Sequence, residues 1–256
     1  MSDSTRDFYE GLADEYRFLY ADWNASVKRQ GGVLEALLTE LHVPPGGTVL
    51  DGAAGVGTQA IGLAERGYRV TATDLSPSSL EKLQQEALRR GLAIPSRTAD
   101  LRALDAAVPG SFDAVIAMDN ALPHLSAEDL PRAAAQMRAR LRPGGALLVS
   151  ARDYDQLRAQ RPRFDRQQVT DGPEGRRITF QVWDWAEDGS RYALEQFVIR
   201  QTAPGTYEAH GHRGEYRAVG REELTGALAS AGLVAVRWRP PEETGFHQPI
   251  LSAVAP

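Results

Sequence analysis

The apolar positions change their period along the chain. From Asp7 to Leu41, Phe8, Leu12, Tyr16, Leu19, Tyr20 and Trp23 recur at roughly helical spacing, and Val33 to Leu41 adds a second apolar stripe. Helices are therefore expected up to the stop at "VPPGG". Short aliphatic and β-branched runs then alternate with helical ones. "TVLDGA" reads as a strand, Thr58 to Arg66 as a helix, "YRVTATDL" as a strand and Pro77 to Arg90 as a helix. "AIPSRTAD" and "FDAVIAMDN" are the next strands, Ala127 to Leu141 the next helix and "GALLVSARD" a fifth strand. After Asp155 the period shortens to two: "RRITFQVWDWAEDGSRYALEQFVIRQT" alternates apolar and polar residues around an Asp-Gly turn and predicts an antiparallel hairpin. A helix from Arg221 to Ala231 and the strands "LVAVRWR" and "PILSAVA" close the chain.

Regular β/α alternation implies an α/β fold with a doubly wound, mostly parallel sheet, whose ligands bind at the carboxyl ends of its strands. That puts Gly52, Asp74, Asp100, Asp119 and Arg152 near one rim. The expected organisation is a single unit over 1–256. Residues 1–45 form a helical cover, 46–155 a ligand-binding core, 156–215 an inserted β lid or platform, and 216–256 the completion of the sheet.

The 256 residues suffice for one large domain, and a composition of 42% apolar and 25% charged residues is that of a folded chain. A net charge of -5 disfavours broad contact with nucleic acid or anionic membrane and favours a small-molecule partner. The absence of cysteine excludes disulfides, a thiolate nucleophile and cysteine metal sites, and His210 with His212 is too sparse a pair to predict a metal. No window approaches the length of a membrane span, and the first residues lack the charged-then-apolar pattern of a leader, so the expected location is cytoplasmic. The edge of the hairpin offers a surface for a homo-oligomer.

The stretch "VLDGAAGVGTQ" carries the chemistry. Gly52, Gly55 and Gly57 allow close approach of a ligand to the main chain at the start of a helix. Asp74, at the tip of the next strand, is placed to accept hydrogen bonds from both hydroxyls of a ribose. The same pattern tolerates a dinucleotide. Asp51 discriminates, because a carboxylate at the turn suits a cationic ligand group better than a pyrophosphate.

Together with "TATDLS", "TAD", "FDAVIAMDNALPHL" and "LRPGGALLVS", this stretch resembles the successive motifs of class I S-adenosylmethionine-dependent methyltransferases. The resemblance implies a seven-stranded Rossmann-like sheet and S-adenosylmethionine as cofactor, with S-adenosylhomocysteine as product. It implies cofactor contacts from Asp51, Gly52, Ala53, Gly55, Gly57, Thr58 and Gln59 at the first turn. Asp74, Leu75 and Ser76 follow at the ribose, Asp100 and Leu101 at the adenine, and Met118, Asp119 and Asn120 beyond the fourth strand.

A narrower resemblance joins "DNALPHL" to "SARDYDQL" and is similar to glycine N-methyltransferase and related small-amine N-methyltransferases. It implies that Asn120 and Arg152 hold a substrate carboxylate, with His124, Tyr154 and Tyr216 in the acceptor pocket. Where the family has Arg-Asn-Tyr-Asp this chain has Asp153 between Arg152 and Tyr154, which leaves glycine itself open against a larger amine. The N-terminal helices resemble the same family's cover over the cofactor, which implies cofactor contacts from Tyr16, Trp23 and Arg29, Arg29 toward its carboxylate. Tyr20 is a candidate catalytic hydroxyl facing the methyl sulfonium, although aromatics at helical spacing equally suit a core. His124 is the second catalytic candidate, as a proton acceptor. Trp183 and Trp185 share a strand face, in a core or as a lid. O-methylation of a natural product or small acid, and cofactor binding without turnover, are the alternatives to N-methylation.

Overall fold

The structure is a computed structural model describing residues 3–173 and 175–256. Two helices form the cover: α1 (Asp3–Leu12) and, after a 3-10 turn at Tyr16–Leu19, α2 (Trp23–Glu40). The core then alternates β1 (Thr48–Asp51), α3 (Thr58–Ala64), β2 (Arg69–Asp74), α4 (Pro77–Arg89), β3 (Ser96–Thr98), a one-turn α5 (Leu104–Ala107), β4 (Phe112–Ala117), α6 (Asp129–Ala139) and β5 (Leu141–Ser150). A short α7 (Tyr154–Gln160) leads into β6 (Phe164–Gly172), β7 (Gly175–Trp185), β8 (Arg191–Ala203) and β9 (Thr206–Arg217). The chain ends with α8 (Arg221–Ser230), β10 (Val234–Arg239), the short α9 (Pro241–Thr244) and β11 (Ile250–Val254).

The expected seven-stranded sheet has the order β10-β11-β5-β4-β1-β2-β3. β11 runs antiparallel to both neighbours and the other pairings are parallel. Every residue of β4 is buried, because helices cover both faces of the sheet. Leu130, Ala133 and Met137 of α6 with Leu224 and Leu228 of α8 pack one face. Leu34 and Leu38 of α2, Ile61 and Leu63 of α3 and Leu83 of α4 pack the other. Each such fully buried aliphatic side chain stabilises the fold by about 1.5–3 kcal/mol.

The helix expected from Val33 instead begins at Trp23, capped by Asp22, whose carboxylate accepts the Ala25 N–H at 3.0 Å. It runs unbroken through Gly31, where α2 meets α3 backbone to backbone. A Cβ on Gly31 would stand 2.5 Å from the Gly62 carbonyl oxygen. That contact ties the cover to the core.

The predicted hairpin forms, with Asp184 opposite Ala193 and Trp185 opposite Tyr192, but it is the middle of a four-stranded antiparallel sheet, β6-β7-β8-β9. β6 escapes notice in the sequence because "FDRQQVTDG" has no apolar alternation; it is an edge strand with no buried residue. Trp183 is buried and stacked 4.5 Å from Tyr192, and Trp185 packs half-buried against the same cluster, so the indoles belong to the core and its edge. Phe8 and Leu12 of α1 complete this cluster with Tyr154, Leu194 and Tyr216. The inserted sheet thereby faces the rim of the parallel one.

Candidate active site

The first turn is built from the end of β1. Gly55 has φ +51° and nothing within 4 Å of where a Cβ would lie, so its backbone is open to a ligand. Its N–H donates to Asp74 Oδ2 at 2.8 Å, while Asp74 Oδ1 accepts the Ser76 N–H at 2.9 Å. Each carboxylate oxygen keeps a lone pair for a further donor, as a ribose requires. Asp51 is buried and Oδ1 takes only a 3.4 Å contact from the Ala53 N–H, while Oδ2 has no partner among the described residues. Burial pushes its carboxyl up to about 8; the Ala53 N–H opposes this, and the charges of Asp74 and Asp119 add to it. A cationic ligand group would satisfy this carboxylate, so the residues present fit the methyl donor that the motifs imply.

Two cavities meet at the rim. The smaller, about 50 Å³, is walled by Gly52, Ala53, Gly55, Thr58, Gln59, Asp74, Leu75, Leu101, Met118 and His124. The larger, about 420 Å³, is walled by the candidates Tyr20, Arg29, Arg152 and Tyr216 and by Arg166, Gln168, Gln181, Gln196 and His247. Tyr9, Tyr16 and Asp119 line both, which makes this junction the place where a donor and an acceptor would meet. Burial pushes the phenols of Tyr9, Tyr16 and Tyr20 up, so all three stay protonated.

Several expected contacts are placed elsewhere. Trp23 lines neither cavity, its indole donating to Thr58 Oγ1 at 3.0 Å and carrying the Arg90 guanidinium 5.4 Å from its ring. Asn120 and Tyr154 stand behind the cavity wall: Asn120 Nδ2 donates to the Tyr154 hydroxyl at 2.8 Å and Oδ1 accepts the Arg152 N–H at 3.1 Å. Both position Arg152 rather than reach a ligand. Gly57 is fixed by packing, with φ +93° and a Cβ position 2.7 Å from Leu83 Cγ. Ser76 caps α4 through the Ser79 N–H at 3.0 Å. Asp100 is bound by Arg102 at 2.6 Å and lines neither cavity, leaving Leu101 as the member of that pair on the wall. Asp51 also lines neither cavity, but unlike these residues it keeps an unpartnered oxygen, Oδ2, beneath the turn.

His124 is corrected most sharply. Nδ1 lies 3.1 Å from the Glu215 carbonyl, which fixes it as the protonated nitrogen, and Nε2 accepts from the Tyr9 hydroxyl at 3.0 Å. Desolvation pushes its pKa down to about 3, against the Glu215 bond and helped by the charge of Arg152. Both nitrogens are engaged, so the ring as placed positions Tyr9 and offers no free lone pair to an acceptor.

Arg152 is held by neutral groups. Nη1 donates to the Tyr192 hydroxyl and Nη2 to Gln181 Oε1 at 3.1 Å, and the guanidinium lies 4.7 Å from the Trp183 ring and 5.4 Å from that of Tyr216. Opposite it, Asp119 adopts φ +53° at the end of β4, pinned by its N–H on Ser150 Oγ at 2.7 Å. Gln59 donates to Asp119 Oδ2 at 2.8 Å, and His247 Nε2 is 3.0 Å from Oδ1. Neither Tyr9 nor His247 was singled out in the sequence. A topological signal existed for His247: an antiparallel last strand begins at the rim where parallel strands end.

Residues 49–145 match the model of a methyltransferase domain family. Over 153 residues the chain is 35% identical to a glycine/sarcosine N-methyltransferase of Parasynechococcus marenigrum (strain WH8102), covering 59% of this chain and 53% of that protein. A ubiquinone biosynthesis O-methyltransferase of Xanthomonas campestris pv. campestris (strain B100) is 35% identical over 109 residues, 41% of this chain and 43% of its own. The chain thus spans about half the length of the curated relatives it matches. A solved S-adenosylmethionine-dependent methyltransferase from Clostridium acetobutylicum ATCC 824 superposes with a TM-score of 0.74 over 98% of this chain and 99% of that one, at 15% identity, which shows a shared fold. The chain carries a methyltransferase domain and has the class I S-adenosylmethionine-dependent methyltransferase fold.

Proposed function

We propose that the protein transfers a methyl group from S-adenosylmethionine to the nitrogen of a small amine that also bears a carboxylate. The observation that carries this reading is Arg152, a guanidinium on the wall of the larger cavity whose hydrogen-bond partners are all neutral. No carboxylate pairs with this guanidinium directly, Asp165 acting on it only through its charge, and a substrate carboxylate would supply a direct partner with bidentate geometry. Glycine and sarcosine, the acceptors in the names of its relatives, both have this chemistry.

When bound, the cofactor supplies an electrophilic methyl carbon on sulfur. Asp74 would hold its ribose, Leu101 and Met118 its base, Asp51 its ammonium and Arg29 its carboxylate. The protein's part is then positioning: an in-line displacement needs the amine aligned and water excluded. Arg152 fixes one end of the acceptor, and the Tyr9, Tyr16 and Asp119 junction receives the other. A cavity of about 420 Å³, lined by Gln168, Gln181 and Gln196, admits an acceptor larger than glycine with further polar groups.

The test is incubation with S-adenosylmethionine and a panel of glycine, sarcosine, larger amino acids, simple amines and phenols, read by mass spectrometry. Product confined to carboxylate-bearing amines is expected. Arg152→Lys should raise KM for that acceptor roughly 10- to 100-fold by losing the bidentate contact, with S-adenosylhomocysteine affinity near wild type. Product from phenols only, or an equal loss of both affinities, would overturn the assignment.

A further inference from the structure

We propose that His247, oriented by Asp119, is the proton acceptor for the incoming amine. The inference rests on the N-methyl reading above and supplies a step that reading leaves open. An amino group with a pKa of about 8 to 10 is mostly ammonium at neutral pH and has no lone pair to attack with. Something at the junction must take its proton.

The turn after α9 places His247 there. Gly245 has φ +73° and Phe246 is buried, so the ring is projected from an anchored loop. The next residue, Gln248, is also buried, and its Oε1 accepts the Ser150 hydroxyl at 3.2 Å. The same Ser150 Oγ holds the Asp119 N–H at 2.7 Å. One serine therefore sets the mutual position of imidazole and carboxylate.

The carboxylate biases the tautomer. Asp119 Oδ2 takes its donors from Gln59 at 2.8 Å and Tyr20 at 3.4 Å, while Oδ1 faces His247 Nε2 at 3.0 Å. That contact is an ion-pair approach without the alignment of a hydrogen bond, and Oδ1 has no hydrogen-bond partner among the described residues; a lone pair on Nε2 would face the ionised carboxylate, so hydrogen is favoured on Nε2 and Nδ1 is left as the acceptor. No described group hydrogen-bonds Nδ1, and the side chain is 29% exposed on the wall of the larger cavity. Burial works against ionisation of Asp119, yet the adjacent His247, Gln59 and Arg166 hold its pKa below the ordinary value, so the charge that would balance an imidazolium is present.

The other charged groups on that wall are Asp22, Arg29, Arg152 and Arg166; Asp22 is spent on the cap of α2. The guanidiniums disfavour any further cation in the cavity, and for an imidazolium at His247 the Asp119 carboxylate offsets this. The ammonium gives its proton to Nδ1, and the imidazolium is paired with Asp119. The freed nitrogen lone pair forms the bond to the methyl carbon as the carbon–sulfur bond breaks and sulfur keeps its electron pair. The product leaves as a methylated ammonium, and His247 returns its proton to water.

Two measurements on the full chain test this. Nitrogen-15 NMR of histidine-labelled protein, with His247→Gln assigning the signal, should show the Nε2–H tautomer at pH 8 and lose that preference in Asp119→Asn. An Nδ1–H tautomer in the wild type overturns the proposal whether or not an acceptor has been found. With the acceptor from the panel, His247→Gln should slow single-turnover transfer roughly 10²- to 10⁴-fold at pH 7. The gap should close toward pH 10 as free amine accumulates, with S-adenosylhomocysteine affinity within twofold of wild type. A pH-independent loss, or a loss matched by weaker product binding, would mean that His247 is structural. Failure of the whole panel counts against the N-methyl reading and leaves the tautomer result standing.

Discussion

Asp51 should make cofactor binding release a proton. Its carboxyl is pushed up to about 8 by burial, so in the free protein at pH 7 it carries about 0.9 proton. If a ligand ammonium pairs with the unpartnered Oδ2, that carboxyl ionises on binding. Calorimetric titration with S-adenosylhomocysteine at pH 7 in buffers of different ionisation enthalpy should therefore report release of about 0.9 proton, falling toward zero above roughly pH 9. Affinity should rise with pH up to about 8 and then level. Asp51→Asn should abolish the release and, above pH 8, weaken binding roughly 10- to 100-fold, the worth of one charge-assisted hydrogen bond of about 1.5–3 kcal/mol. The same shift predicts an opposite effect on stability. The folded state binds more protons than the unfolded chain between about pH 4 and pH 8, so stability falls as pH rises through that window. At about 1.4 kcal/mol per pKa unit, the cost at pH 7 approaches about 4 kcal/mol. Asp51→Asn should therefore raise the Tm of the ligand-free protein while weakening the ligand. A binding isotherm with no buffer dependence, together with a lowered Tm in the variant, would refute the reasoning.

Three further predictions follow from particular contacts. His124→Asn should leave the shape of the pH–rate profile unchanged between pH 5 and pH 9, because a ring held neutral down to about 3 has no protonation to contribute there; loss of an ascending limb would restore it as a base. Gly31→Ala would push a methyl against the Gly62 carbonyl and should destabilise the protein by about 1–3 kcal/mol, read as a fall in Tm of several degrees by scanning calorimetry. Asp113 accepts the Thr48 N–H at 2.6 Å and its hydroxyl at 2.9 Å and pairs with Arg142; although burial opposes ionisation, these contacts hold its pKa below the ordinary value. Its contribution is present above about pH 4 and lost on acidification through the lowered folded value, so Asp113→Asn should cost about 1–3 kcal/mol in denaturant titrations at pH 7 and little near pH 2.

The alternation of aliphatic runs and helical stripes was enough to determine the parallel sheet, because a strand buried on two faces must be almost wholly apolar, as β4 is apart from the paired Asp113. The turn around Gly55 and the carboxylate of Asp74 were legible for a similar reason: their roles depend on backbone geometry a few residues away. What the sequence could not decide was which side chains converge from distant segments. Asn120 and Arg152 carry the motif together, yet only Arg152 reaches the cavity, because Asn120 is consumed by Tyr154 and the Arg152 backbone. His124 lies in the motif and is locked by Tyr9 and Glu215, whereas His247 lies outside every motif and faces Asp119. Local pattern fixes which residues lie at the rim. Hydrogen-bond partners supplied from 32 to 115 residues away fix which of them keep a lone pair or a charge free for chemistry, and only the tertiary structure brings those partners together.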